Sequence, residues 1–331
     1  MTTGWSVDDR PAHSEADPGR AVRPASRGAG RRAGRGAGLV LGLLSAAAFG
    51  TSGTFGTSLI DAGWSPAAAV TARVSVAALV LTGPALVQLR GRWGLLRRQA
   101  WRTILFGLVG VAACQVCYFN AIQRMPVGIA LLIEYLGVVL IVGWLWARHG
   151  QRPRPLTVVG GVGALGGLAL MLNLSGAGGV APAGVVWGLL AAVSLAAYFV
   201  LSASVAGEPL PPVVMTWGAM ITGAAVLGLL GLAGALPLRF SGTDVTLLGH
   251  QVSWAVSVLG LSVVASAFAY VVGVGAARRL GAKLGSFVGM AEILFAVLFA
   301  WVLLHQMPTA MQFAGGGLIL LGVVLVRLDE R

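Results

Sequence analysis

PVGIALLIEYLGVVLIVGWLWA, residues 126–147, is a run of 22 residues that carries a single charge, Glu134. At about 1.5 Å per residue, a helix of this length covers roughly 33 Å, enough to cross a hydrocarbon core about 30 Å thick. Glu134 then lies about 12 Å from the end that holds Pro126. An ionisable group at that depth is costly. It is kept either for function or as a neutral carboxyl bonded to a neighbouring helix for packing. The design recurs in residues 283–304, KLGSFVGMAEILFAVLFAWVLL, with Glu292 at similar depth.

Composition extends this reading to the whole chain. The sequence is 57% hydrophobic and 10% charged, against roughly 25% charged in a soluble domain. Its 49 glycines suit closely packed membrane helices. The net charge of +12 is no nucleic-acid footprint, because position argues against it. Seven of the 23 basic residues fall in the first 37 positions, and most others lie between apolar runs. Cys114 and Cys117 sit three apart inside one apolar run, with no second pair and no nearby His, so they read as packing residues and not as a metal or redox pair.

The expected fold is an all-α polytopic membrane protein. Residues 1–37, rich in Arg, Gly, Ala and Pro, read as a disordered basic cytoplasmic tail, with Arg27, Arg31, Arg32 and Arg35 near the anionic inner leaflet. Ten apolar spans follow at 38–60, 66–89, 101–123, 126–147, 155–173, 184–204, 212–233, 252–277, 283–304 and 309–327. The first could be mistaken for a signal peptide, but its long Arg-rich leader fits one poorly. With the N-terminus inside, twenty basic residues fall on the cytoplasmic side, and only Arg124 and Arg239 lie in outer loops. Both termini are therefore expected in the cytoplasm.

The ten spans divide into two halves, 38–173 and 184–327. Gly38-Leu-Val-Leu-Gly42 reads against Gly184-Val-Val-Trp-Gly188 at an offset of 146. From the third span the offset is 155, pairing Arg124 with Arg279, Trp146 with Trp301, and Gly160, Gly161 and Gly167 with Gly315, Gly316 and Gly322. Five spans per half is an odd number, so the halves are inverted, as in secondary transporters with sites near the midplane. Glu134 and Glu292 pair at 158, out of register by about one helical turn, which predicts different roles for them.

On the words Ile122-Gln123-Arg124-Met125-Pro126-Val127-Gly128-Ile129-Ala130, Ile133-Glu134-Tyr135-Leu136-Gly137 and Met290-Ala291-Glu292, the chain resembles an EamA-type permease of the drug/metabolite transporter superfamily. It is most similar there to bacterial threonine/homoserine exporters. Two departures stand out: Glu292-Ile293 where many members have Glu-Pro, and His305-Gln306 where many have Gly-Glu. The resemblance implies a multi-pass transporter of the bacterial cytoplasmic membrane.

Several groups could serve such a transporter. Arg73, seven residues from Pro66, either faces the interior or snorkels to the outer interface. The resemblance implies the first, where its guanidinium could grip a carboxylate in bidentate fashion. Tyr118 and Asn120 either line the path or make packing hydrogen bonds. Ser194, Tyr198 and Ser202, at spacings of four, form one polar stripe; Ser262, Ser266 and Tyr270 form another. Both read as cavity walls, although Ser often bonds its own helix backbone. The small-xxx-small glycines of spans five and ten fit close helix contact, within the chain or between the subunits of a homodimer.

The expected function is therefore a secondary transporter exporting small polar metabolites, amino acids or related zwitterions, with protons as coupling ion. Its partners are a small-molecule substrate and the lipid bilayer, with no nucleic acid, no cofactor and no metal. The alternative is a cationic drug/proton antiporter. A membrane-embedded lipid-processing enzyme would need clustered His or Asp ligands, whereas His149, His250 and His305 all lie at span ends.

Overall fold

The computed structural model describes residues 25–125, 127–150, 152–171, 181–204, 208–304 and 307–329. Of the features read above, residues 1–24 of the tail, Pro126, the connection over 172–180, His305 and Gln306 lie outside the described residues.

The chain is mostly helical. α1 (Ala25–Gly50) is followed after Thr51 by α2 (Ser52–Asp61). It starts inside the stretch expected to be an unstructured tail, where Ala and Arg, strong helix formers, outweigh the interspersed glycines. α3 (Pro66–Leu89) opens on Ser65, whose hydroxyl accepts from the Ala68 amide at 3.2 Å, and Pro66 fills the first helical position, where no N–H is needed. α4 (Trp93–Leu105) runs through a π-helical stretch, Phe106–Ala113, into α5 (Cys114–Ile122). α6 (Val127–Tyr135) and α7 (Gly137–His149) are separated by a break at Leu136, and Gly150, at φ 65°, closes α7 in the left-handed conformation. α8 (Pro155–Met171), α9 (Pro182–Ala203) and α10 (Pro212–Leu232) each begin on proline.

A short hairpin, β1 (Val245–Leu247) with β2 (His250–Val252), corrects the all-α expectation. Its two-residue turn places Leu248 and Gly249 both at positive φ, the geometry that matches strand twist. α11 (Trp254–Leu259) leads through a second π stretch, Gly260–Phe268, into α12 (Ala269–Gly289). α13 (Ala291–Leu304) and α14 (Ala310–Asp329) complete the fold.

Among the described residues, eight helical runs are long and apolar enough to cross a membrane, and Pro155–Leu170 is a shorter apolar helix. Trp254–Gly289 counts as one run of 36 residues, because the chain turns within it on Gly281 alone, at φ 79° and ψ 167°. Glycine adopts that conformation without a Cβ clash, so no loop separates the eighth and ninth apolar stretches of the sequence.

α8 packs along α14, α1 along α12, α3 along α10, and α9 against α5 and α12. Glycine makes the first of these contacts close. A Cβ on Gly160 would come within 2.8 Å of the Gly322 carbonyl oxygen, and one on Gly322 within 2.5 Å of that of Gly160. At one end of the bundle the Ser65 amide donates to Arg239 O at 2.9 Å and the Trp64 indole to Ser241 O at 2.7 Å. At the other, Gln99 Nε2 donates to Glu208 O at 2.5 Å and Arg154 Nη1 to Asp329 O at 2.8 Å. Two irregularities each occur twice. The π stretches begin at Phe106 and Gly260, and helix breaks fall at Leu136 and Met290; the members of both pairs are 154 residues apart.

Candidate functional site

A cavity of about 820 Å³ opens among α1, α2, α3, α5, α6, α9, α12 and α13. Six of the eleven residues singled out in the sequence line it: Arg73, Tyr118, Glu134, Tyr198, Tyr270 and Glu292. Tertiary packing brings them together from six different helices.

Both glutamates stand beside helix breaks, on opposite sides. Glu134 lies in the last turn of α6, just before Leu136; Glu292 lies in the first turn of α13, just after Met290. Their offset of 158 thus comes from flanking a repeated break differently, not from a slide along one continuous helix. A carboxylate at Glu292 meets the favourable field of the α13 N-terminal amides, while one at Glu134 faces carbonyls at the end of α6. Their hydrogen-bond donors differ as well. The Cys114 thiol donates to Glu134 Oε1 at 3.2 Å, and the Tyr135 hydroxyl donates to Glu292 Oε2 at 3.2 Å. A phenol is a full-strength donor and a thiol a weak one. Adjacent residues of α6 therefore serve both carboxyls, one as a carboxyl itself and the other as donor to its counterpart.

Arg73 is buried in α3, with Nε donating to Ser266 Oγ at 2.9 Å and Nη2 to Ala265 O at 3.4 Å. The second π stretch explains how the acceptors become available. Ser266 donates to Leu261 O, five residues back, at 2.9 Å, so the helix is locally wound wide and turns this segment toward α3. Ser266 itself is buried behind Arg73 and positions it.

The polar stripes turn out narrower than expected. Tyr198 and Tyr270 reach the cavity, but Ser194 donates to Leu190 O at 3.0 Å and Ser262 to Val258 O at 2.6 Å, each within its own helix. The Ser202 hydroxyl is buried with no hydrogen-bond partner. Short hydroxyl side chains bond the preceding turn more readily than they project from it. Asn120 is likewise local: its amide donates to Val116 O at 2.9 Å, and its side-chain oxygen accepts from Arg124 Nη1 at 3.2 Å. The aromatic lining is continuous. Tyr198 and Tyr270 meet edge to face at 5.5 Å, and Tyr270 meets Phe49 at 5.0 Å.

Three contributors were not singled out from the sequence: Tyr135, Cys114 as a partner to Glu134, and Ser45, whose hydroxyl donates to Ala269 O at 2.8 Å beside the cavity. A signal for Tyr135 exists in its position next to Glu134 inside an apolar run. None marks Cys114 or Ser45.

Comparison with known proteins gives a consistent result. The profile described as the EamA-like transporter family matches residues 36–173 and 182–328. A Salmonella typhimurium protein named "Uncharacterized inner membrane transporter YicL" is 22% identical over 241 residues, spanning 71% of this chain and 75% of that protein. A solved crystal structure superposes with a TM-score of 0.71 at 22% identity, covering 89% of this chain and 99% of the other, a likeness of fold.

Proposed function

The chain belongs to the EamA-like transporter family, and on that premise we propose that it is a secondary transporter that exports zwitterionic metabolites, amino acids among them, in exchange for protons. The observation that carries this reading is the composition of the cavity: one fixed cation, Arg73, and two carboxyls, Glu134 and Glu292, around a single space. Arg73 offers its remaining guanidinium face to a substrate carboxylate. The carboxyls and Tyr118 offer acceptors to an ammonium group. The cavity volume falls in the range of small-molecule sites. Either carboxyl can release a proton as the ammonium arrives, which couples the two fluxes.

The same proposal includes ten spans in two inverted halves, with both termini in the cytoplasm. The recurrence of π stretches and helix breaks at one spacing supports the halves, and the distribution of basic residues supports the orientation. The aromatic faces of Phe49, Tyr198 and Tyr270 favour a second reading, a lipophilic cation held by the rings and a carboxyl. Counterflow of labelled amino acids and of a lipophilic cation in proteoliposomes, with and without a pH gradient, decides between them. Gradient-stimulated amino-acid movement supports the first reading. Movement of the cation alone replaces it with the second, and movement of neither removes both.

A further inference from the structure

A second pocket lies at the arginine-rich end of the bundle, away from the cavity. It measures about 220 Å³ and is walled by Gln99, Trp101 and Arg102 of α4, Ser204 and Leu210 of the α9–α10 connection, and Arg278 of α12. Arg278 has its Nη groups engaged: Nη1 donates to Leu210 O at 2.6 Å, and Nη2 to the Met215 thioether at 3.2 Å, a weak acceptor. Its Nε is buried with no hydrogen-bond partner. The enclosed Nε is out of a ligand's reach, but each Nη keeps a second N–H, and a carbonyl and a sulfur do not neutralise the guanidinium charge.

Arg102 adds a second cation to the same wall, and Gln99 is held in place through Glu208 O. Trp101 is 68% exposed and Trp93, at the start of the same helix, 49%. Exposed indoles at the ends of apolar helices are common anchors at a membrane–water interface. Arg97 and Arg98 are exposed on α4 outside the pocket, and Glu208, whose carbonyl holds Gln99, is an acidic residue beside it.

We infer that this pocket binds a phosphate group, with Arg102 and Arg278 as its cationic ligands. The exposed tryptophans and the position at a bundle end make the headgroup of an anionic phospholipid its source. Bound there, a lipid ties α4 to α12 at one end of the bundle.

Native mass spectrometry of the full chain in detergent tests this with added phosphatidylglycerol, phosphatidylcholine and, separately, glycerol 3-phosphate. Wild type should retain phosphatidylglycerol in preference to phosphatidylcholine. Arg102→Gln, an exposed position that folding does not depend on, should weaken that retention about fivefold, the worth of one basic side chain at an anionic headgroup. Arg278→Lys, which keeps the charge but not the fork, should weaken it too. The double variant Arg97→Gln/Arg98→Gln should retain the lipid as wild type does. Saturable binding of glycerol 3-phosphate that depends on Arg102 would support the phosphate site and assign it to a soluble ligand. Equal retention of both lipids with no glycerol 3-phosphate binding overturns the inference. So does an Arg97/Arg98 effect as large as that of Arg102, which would mean diffuse surface charge.

Discussion

Replacing Glu134 with Gln removes a titrating group while keeping almost everything else. The side-chain oxygen can still accept from Cys114, at 3.2 Å in the native site, so the change in that hydrogen bond is worth about 1 kcal/mol or less. The variant should therefore fold, line the cavity and bind substrate. What it loses is the carried proton. One pH unit across the membrane corresponds to about 1.4 kcal/mol per proton, so exchange of one proton per substrate sustains about a tenfold concentration ratio. In inverted vesicles with an acidic lumen, protons leave as substrate enters, and wild type should accumulate substrate about tenfold at a one-unit gradient. Glu134→Gln should equilibrate to a ratio near one, yet still exchange labelled for unlabelled substrate at a rate close to wild type. Accumulation by Glu134→Gln at the wild-type level would refute the reasoning. Glu134 would then be a packing carboxyl, and coupling would have to reside in Glu292 or elsewhere.

Three further outcomes are expected. Arg73→Lys should weaken binding of a carboxylate substrate about tenfold and leave a cation unaffected, because Lys keeps the charge but cannot reproduce the fork that reaches Ser266 and Ala265; equal transport by wild type, Arg73→Lys and Arg73→Ala would reduce the residue to a structural one. Gly160→Val should destabilise the fold by about 1–3 kcal/mol, seen as a lower melting midpoint in detergent, whereas Gly163→Val, whose Cβ meets nothing within 4 Å, should not. Reporter fusions after Gly150 and after Arg331 should both read as cytoplasmic, and an external signal at either would overturn the inverted-repeat topology.

Much of this protein was legible from residue order because the bilayer imposes a simple demand. Long apolar runs such as those opening on Pro66, Pro155 and Pro212 have few alternatives to membrane helices, since no water is present to satisfy an open backbone. A lone carboxyl inside such a run is conspicuous for the same reason, and Glu134 and Glu292 stand out on that ground alone. Glycines at matching positions in two runs likewise announced a close contact, which α8 and α14 make.

Helical spacing could not say which polar groups face the cavity, because that depends on how each helix is rotated and where it breaks. The breaks at Leu136 and Met290 put the two glutamates on opposite sides of an interruption, and the second π stretch turns Ser266 toward Arg73 when a regular helix would have turned it elsewhere. The donors follow the same logic. Tyr135 reaches Glu292 across 157 positions, and Cys114 reaches Glu134 from another helix, whereas Ser194 and Ser262 bond their own turns. Period and composition determined which residues are costly to bury in lipid; only the rotation and bending of neighbouring helices decided which of those costs are met by a partner and which are left facing the cavity.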